Sequence, residues 1–349
     1  MGSVKSVRSL GWVLGVLLIA GCGGGGGGSA PAGAPPTVTI TAANQGTVTR
    51  ATIDGTQALG ASQPLAAPGR AAAQSVRTGP VEPAIGALQS VIRRGLVTAF
   101  VPRQRMTIAS ATRPAAASSS TDACAISGSV TTTLNDADNS QSVSSGDSLT
   151  LTFNQCQDSA NDATNGTMVF TIGSVTPATS SDVQFSGSLA FQQVTITSGT
   201  HSAGISGSVG VAAAITATSF QLALNVGSNA LTVTSSAPGY LNTIVYDPDM
   251  QLTVTATDGT VSQTQVTLNG TFTASSIGGR IQVATVQPVT QLGTDAYPSS
   301  GQIVVTGTAG THLRVTALDA TRAQLELDAN GDGTYEASVV LAWSIIATS

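Results

Sequence analysis

A large, mainly antiparallel β-sheet is the architecture this sequence predicts, and three observations predict it. Thr, Ser, Gly, Ala and Val dominate a chain of 349 residues in which only 9% are charged and 4% aromatic. Short runs rich in β-branched residues alternate apolar with polar positions. Clusters of Gly, Asn and Asp separate those runs at hairpin-like intervals. The composition is not that of a disordered chain, which combines high net charge with few hydrophobic residues; here 41% are hydrophobic.

The alternation is clearest in SLTLTF (148–153), QLTVTA (251–256) and YEASVVLAWSI (335–345). Leu149, Leu151 and Phe153 fall on one face, and Thr150 and Thr152 on the other. Leu252 with Val254, and Tyr335 with Val339, Leu341, Trp343 and Ile345, repeat the pattern. A period of two means one buried and one polar face. Asp136 to Asn139, Asp258-Gly259, Gly278-Gly279 and Asn330 to Gly333 supply turn chemistry. A loose repeat of Gly followed by Ser or Thr recurs at ISGSV (126–130), NGTMVF (165–170), FSGSL (185–189), ISGSV (205–209), LNGTF (268–272) and VTGTA (305–309). Glycine inside a strand marks a bend or a bulge. The spacings of 21 and 20 residues between Gly166, Gly187 and Gly207 suit successive hairpins of a curved sheet. Roughly 14 strands are expected, and a sheet that wide curls, closes or splits. Half-barrel, barrel and sandwich are all compatible with this pattern. A membrane-spanning barrel fits less well, because its girdles need aromatics and the chain has only 2 Trp, 4 Tyr and 7 Phe.

The N-terminus is of another kind. Lys5 and Arg8 precede an apolar run, Leu10 to Ala20. That run is shorter than the about 20 residues a membrane helix needs and suits a secretory signal. It ends Leu18-Ile19-Ala20-Gly21-Cys22. Small residues before a cysteine in this position resemble the lipobox of bacterial lipoproteins. The resemblance implies a signal peptide over 1–21, lipidation of Cys22 and cleavage before it. Two or more acyl chains hold a protein firmly where one holds it marginally. Gly23, where an inner-membrane lipoprotein would carry Asp, points to the outer membrane. Gly23 to Gly28 and the following SAPAGAPP make residues 22–36 a tether, with a reach of about 20 Å. A glycine run after the lipidated cysteine is similar to the start of surface-exposed lipoproteins.

Residues 37–123 read as a mixed segment. TVTITAANQGTVTRATIDG suggests a hairpin, and 82–100 an amphipathic helix that packs on the sheet. Pro83 suits a first helical turn, and Ile85, Leu88, Ile92, Leu96 and Ala99 follow helical spacing. Residues 124–349 make the β-domain. Charge divides along the same boundary. Residues 31–123 hold eight Arg against three acids, and residues 124–349 three Arg against fifteen acids. Arg93, Arg94, Arg103 and Arg105 are therefore expected to dock on the acidic domain, with anionic lipid heads as the other reading. An acidic, exported domain argues against nucleic acid as a partner.

Chemistry-bearing residues are few. Cys124 and Cys156 remain once the signal is removed, and export into an oxidising compartment predicts a disulfide. DANGDGTYE (328–336) places Asp328, Asn330 and Asp332 at alternate positions before Gly333. That resembles the opening of a Ca²⁺ loop, but its twelfth position is Val339 rather than a bidentate Glu. A hairpin turn explains the same residues. His201 and His312 stand in Thr/Ser-rich strands with no HExxH pair and no GxSxG elbow. The sequence thus predicts a lipid-anchored, non-catalytic β-domain that binds or scaffolds, its partner an envelope protein, a glycan or an apolar ligand. A half-barrel carrier of an apolar or lipid ligand is the first alternative, and a serine hydrolase the second.

Overall fold

A computed structural model describes residues 35–60, 118–140, 144–159, 162–179, 182–215, 219–257, 263–292, 295 and 297–346. The signal peptide, most of the tether, the 82–100 helix and Arg93, Arg94, Arg103 and Arg105 lie outside the described residues. The mainly β, antiparallel expectation holds. Helix α1 (Gln45–Gly60) is followed by β1 (Ser118–Ala123), β2 (Ser127–Asn135), β3 (Ser148–Ser159), β4 (Asp162–Thr179), β5 (Asp182–Ser198) and β6 (His201–Ile215). Then come β7 (Ser219–Val226), β8 (Leu231–Ala237), β9 (Tyr240–Tyr246), β10 (Gln251–Thr257) and β11 (Gln263–Ala274). Last are β12 (Gly279–Leu292), β13 (Ser300–Thr306), β14 (His312–Asp319), β15 (Arg322–Asp328), β16 (Ala337–Ala342) and a final turn of helix, α2 (Trp343–Ile346).

The topology is simpler than a count of sixteen strands implies. β7 and β8 both run antiparallel to β6, one along its C-terminal half and the other along its N-terminal half. They are two halves of one interrupted row. β9 and β10 make the next row in the same way, against β8 and β7. Every row therefore pairs with its neighbour in sequence, and the sixteen strands among the described residues form a meander of fourteen rows in a single sheet. Among the described residues β1 and β16 have no second partner, so the described pairing leaves the sheet open.

Alternation does what the sequence suggests. Leu134, Leu149, Phe170, Leu189, Val209 and Val226 stand opposite one another in succession. Ala213, Leu222, Val254 and Val266 continue the apolar face. Val283, Val305, Leu313 and Leu327 carry it to the far side. Leu149, Phe170, Leu189 and Leu313 are buried. At roughly 25 cal/mol per Å² of apolar area, burial along this face is the main term favouring the fold. The other face is hydroxylated: Thr121, Thr131, Thr152 and Thr167 oppose one another in turn, with Thr121 and Thr131 joined at 2.9 Å.

Four of the six repeated glycines, Gly128, Gly166, Gly207 and Gly270, fall on a line that crosses the strands, while Gly187 and Gly307 lie off it. Register shifts occur at Ser127/Ser129 in β2, Phe153/Cys156 in β3, Asn165/Thr167 in β4, Phe191/Val194 in β5 and Val266/Asn269 in β11. The breaks between β7 and β8 and between β9 and β10 lie on the same line. Gly166 and Gly207 show why glycine is needed there. Each has φ +105°, and a Cβ would sit 2.4 Å from the Gln193 carbonyl oxygen and 2.2 Å from that of Ala230, respectively. Aligned bulges bend each row and increase its twist, so the sheet is creased across its width.

The hairpin expected over 37–55 does not form: residues 35–41 belong to no helix or strand, and Gln45–Gly60 is a helix. Its Thr-rich sequence has weak helix propensity, which tertiary burial overrides. Asn44 fixes the turn ahead of the helix by accepting from the Thr41 N–H at 2.8 Å and donating to the Thr39 carbonyl at 3.0 Å. Thr49, Thr52 and Thr56 satisfy their hydroxyls on carbonyls four residues back. Val48, Ala51, Thr52 and Gly55, at helical spacing, face the core. Val38 and Ile40 ahead of the helix are buried, and their segment is tied to the sheet by the Thr37 N–H to the Arg280 carbonyl and the Thr308 N–H to the Val38 carbonyl.

The 335–345 alternation also stops short. β16 ends at Ala342, and the chain turns helical so that Trp343 and Ile346 are buried while Ile345 is 55% exposed. The Trp343 indole N–H donates to the Asp319 carbonyl at 3.1 Å, and its ring stacks on Tyr297. A buried indole needs that acceptor, which favours the turn over two further strand residues.

Candidate functional site

Cys124 and Cys156 form the expected disulfide, with Cα atoms 5.5 Å apart and a sequence separation of 32. It ties the residue after β1 to the crease position of β3, so the bond staples the outer rows where glycine bulges weaken their ladder. Both cysteines are buried. Cys22 lies outside the described residues.

The loop between β15 and β16 holds the predicted oxygen cluster, and the geometry there is that of a turn. Asp328 is fully buried, and its carboxylate accepts from the N–H groups of Gly331 at 2.7 Å and Gly333 at 2.9 Å. The Asn330 amide oxygen accepts from the Asp332 N–H at 2.8 Å, while its NH₂ donates to the Asp332 carboxylate at 3.1 Å. Asp332 in turn accepts from the Thr334 N–H, which holds its carboxyl below the usual range. Each of the three residues of the sequence motif thus closes at least one local backbone bond. A third carboxylate, that of Glu336, lies with those of Asp328 and Asp332 in a group whose oxygens are within 4.8 Å of one another. Spacing alone did not point to Glu336; its role follows from the Ala329 N–H that its carboxylate accepts across the loop at 3.1 Å.

A second acidic loop joins β2 to β3. Asp136, Asp138 and Asp147 come together there. Buried Asp147 accepts from the Ala137 and Ser144 N–H groups at 2.9 and 2.8 Å. Hydrogen bonds from the Ser140 hydroxyl and N–H, and then from Ser144, hold the Asp138 carboxyl down at about 2. Asp136 and Asp138 were visible in sequence as turn residues. Asp147 was not, because its partners depend on how the loop closes.

The two histidines stand on separate rows. The Nδ1 of His312 meets the Thr306 hydroxyl at 3.1 Å. The Asp328 carboxylate across the ladder from His312 is engaged by Gly331 and Gly333. His201 opens β6 opposite Ser198. Among the described residues neither histidine is hydrogen-bonded to a serine or a carboxylate.

Helix α1 supplies a polar cluster that sequence reasoning missed. Arg50 approaches Asp54 at 3.7 Å, the Tyr240 hydroxyl donates to Asp54 at 3.2 Å, and the guanidinium lies 5.0 Å over the Tyr240 ring. Burial pushes the Asp54 carboxyl up, against the pull of Arg50. Burial, and then the Asp54 charge, push the Tyr240 phenol up to about 12. Beside them the Tyr246 hydroxyl donates to the Gly55 carbonyl at 2.6 Å. These bonds dock helix on sheet, a structural role. The apolar face that a carrier would use to line a cavity is packed in the described residues: Leu151, Met168, Leu189, Leu222 and Leu252 are each at most 2% exposed.

Against known proteins, no family model, no curated protein and no solved structure matches the chain.

Proposed function

We propose that this protein is a lipid-anchored lipoprotein of the bacterial cell envelope, and that its sheet is a non-catalytic unit for binding or scaffolding. The observation that carries the reading is Leu18-Ile19-Ala20-Gly21-Cys22 directly after an apolar run of signal-peptide length. The Cys124–Cys156 disulfide supports an oxidising compartment, where such bonds persist. Gly23 after the cysteine supports the outer membrane, and the glycine run supports display at a distance from it. Polar side chains spent on turn closure and helix docking support a binding rather than a catalytic role.

Expression in a Gram-negative host with labelled palmitate tests the reading. The chain is expected to take up label, to accumulate as precursor under globomycin, and to sediment with outer membranes. Cys22→Ala is expected to lose the label and the membrane association together. A Cys22→Ala chain that is processed and fractionates like the wild type would sink the proposal.

A further inference from the structure

The two edge rows of the sheet are built differently. β1 reads SSSTDA and carries Asp122; β16 reads ASVVLA, with neither charge nor proline. β16 pairs with β15 alone among the described residues. Ala337, Ser338 and Val340 are exposed, Val340 to 48%. An open edge offers a row of unpaired N–H and C=O groups, and proteins ordinarily blunt it with charge or proline. β16 has neither.

The direction of its free groups follows from the ladder. The Trp343 N–H donates to the Thr321 carbonyl at 3.0 Å, continuing the register in which Ala342 faces Arg322. Hydrogen-bonded pairs recur at every second residue. Leu341, Val339 and Ala337 therefore bond inward to β15, and Ser338, Val340 and Ala342 turn their N–H and C=O outward. The Glu336 N–H to the Leu327 carbonyl, also 3.0 Å, fits the same phase as a bulge at the strand entrance.

We infer that β16 is a homotypic interface, on which the β16 of a second copy of this chain pairs antiparallel about a two-fold axis through Val340. In that register Val340 meets its own counterpart, Ser338 faces the second copy's Ala342, and Val339 faces its Leu341. All the outward groups find partners, making about six hydrogen bonds between the copies. Val339 and Leu341 lie on the core side, opposite Leu325 and Ala323 of β15, so the apolar faces of the two sheets run on without a step. A slip of one residue would set inner against outer side chains, and a slip of two would forfeit outward bonds. With no charge on the strand, no like charges meet, so the edge is self-complementary. Pairing β16 with the Asp122-bearing β1 would instead join unlike edges, one of them charged. The contact is shorter than a standard interface, which places the association among weak, transient ones.

Sedimentation velocity of the full chain up to about 500 µM tests this, with reversible monomer–dimer exchange of roughly 10–1,000 µM dissociation constant expected. Val340→Pro removes one outward N–H and no bond to β15. Val340→Lys sets like charges face to face. Each is expected to weaken association at least tenfold, while Ser120→Lys on β1 leaves it unchanged. Val340→Cys in a Cys22→Ala chain is expected to give a disulfide-linked dimer on mild oxidation, which Cys22→Ala alone does not give. Trp343 emission checks that every variant is folded. A wild type that stays monomeric throughout, association that survives both Val340→Pro and Val340→Lys, or loss of it in Ser120→Lys would each overturn the inference.

Discussion

Removing the Cys124–Cys156 bond is the sharpest perturbation of the fold. In the chain-entropy account a cross-link stabilises by restricting the unfolded chain, as a constant plus a logarithm of loop length. The separation of 32 residues then gives about 3.7 kcal/mol at 25 °C. Both cysteines are buried, so their replacement also loses some packing. The bond lies at one end of a sheet whose rows contact only their neighbours, and the cost should therefore appear first as early melting of β1 to β3. The assay is urea unfolding of Cys124→Ala/Cys156→Ala against the oxidised wild type. Hydrogen exchange would be followed separately on 118–159 and on 279–328. We expect the midpoint to fall, the urea slope to rise as the unfolded state expands, and exchange to accelerate in the first segment. A double variant within about 1 kcal/mol of wild type, or one that loosens both segments equally, would refute the entropic reasoning.

Tyr246→Phe removes the hydroxyl's bond to the carbonyl of Gly55, a residue inside helix α1, and should cost about 0.5–1.5 kcal/mol, read by thermal unfolding; Tyr240→Phe should cost less, because its partner Asp54 retains Arg50. Gly207→Ala forces a side chain into a left-handed backbone against the Ala230 carbonyl and should destabilise by more than about 1 kcal/mol, whereas Gly199→Ala, with no neighbour within 4 Å of its Cβ, pays only the backbone strain. Hydrogen bonding to Arg314 lowers the Glu326 carboxyl below its ordinary 4.5. Its contribution is thus full above that value and lost as pH falls through the folded value, and Glu326→Gln should flatten that part of the acid limb of the stability curve. With the Asp328 oxygens held by Gly331 and Gly333, millimolar Ca²⁺ should leave the melting temperature unchanged; a rise of several degrees in wild type but not in Asp332→Asn would restore a cation to this loop.

Much of the sheet was legible because its warrant is local. Leu149, Leu151 and Phe153 declare their face by period two, and Gly128, Gly166, Gly207 and Gly270 of the glycine repeat mark the crease, where a Cβ would meet backbone. The roughly 14 strands expected become sixteen among the described residues, because two of the fourteen rows are interrupted. What stayed hidden depends on distant contacts. Nothing within TVTITAANQGTVTRATIDG says that Gly55 will meet Tyr246 and Phe272, and β-branched content alone argues for strand. The acidic loops show the same division: Asp328 and Asp332 were visible, but Glu336 and Asp147 enter only once backbone N–H groups have chosen their acceptors.

The meander has a consequence for the order in which the chain can fold. Each row needs only the row before it, so ladder formation is a sequence of short loop closures of the kind that folds quickly. The segment 35–60 is the exception, since its partners Tyr240, Tyr246, Arg280 and Thr311 come about two hundred residues or more later. A chain released from its N-terminus thus presents Val38, Ile40 and Val48 long before anything exists to cover them. The first described residues to emerge are the last to settle, and their docking becomes the step that reports completion of the distant rows.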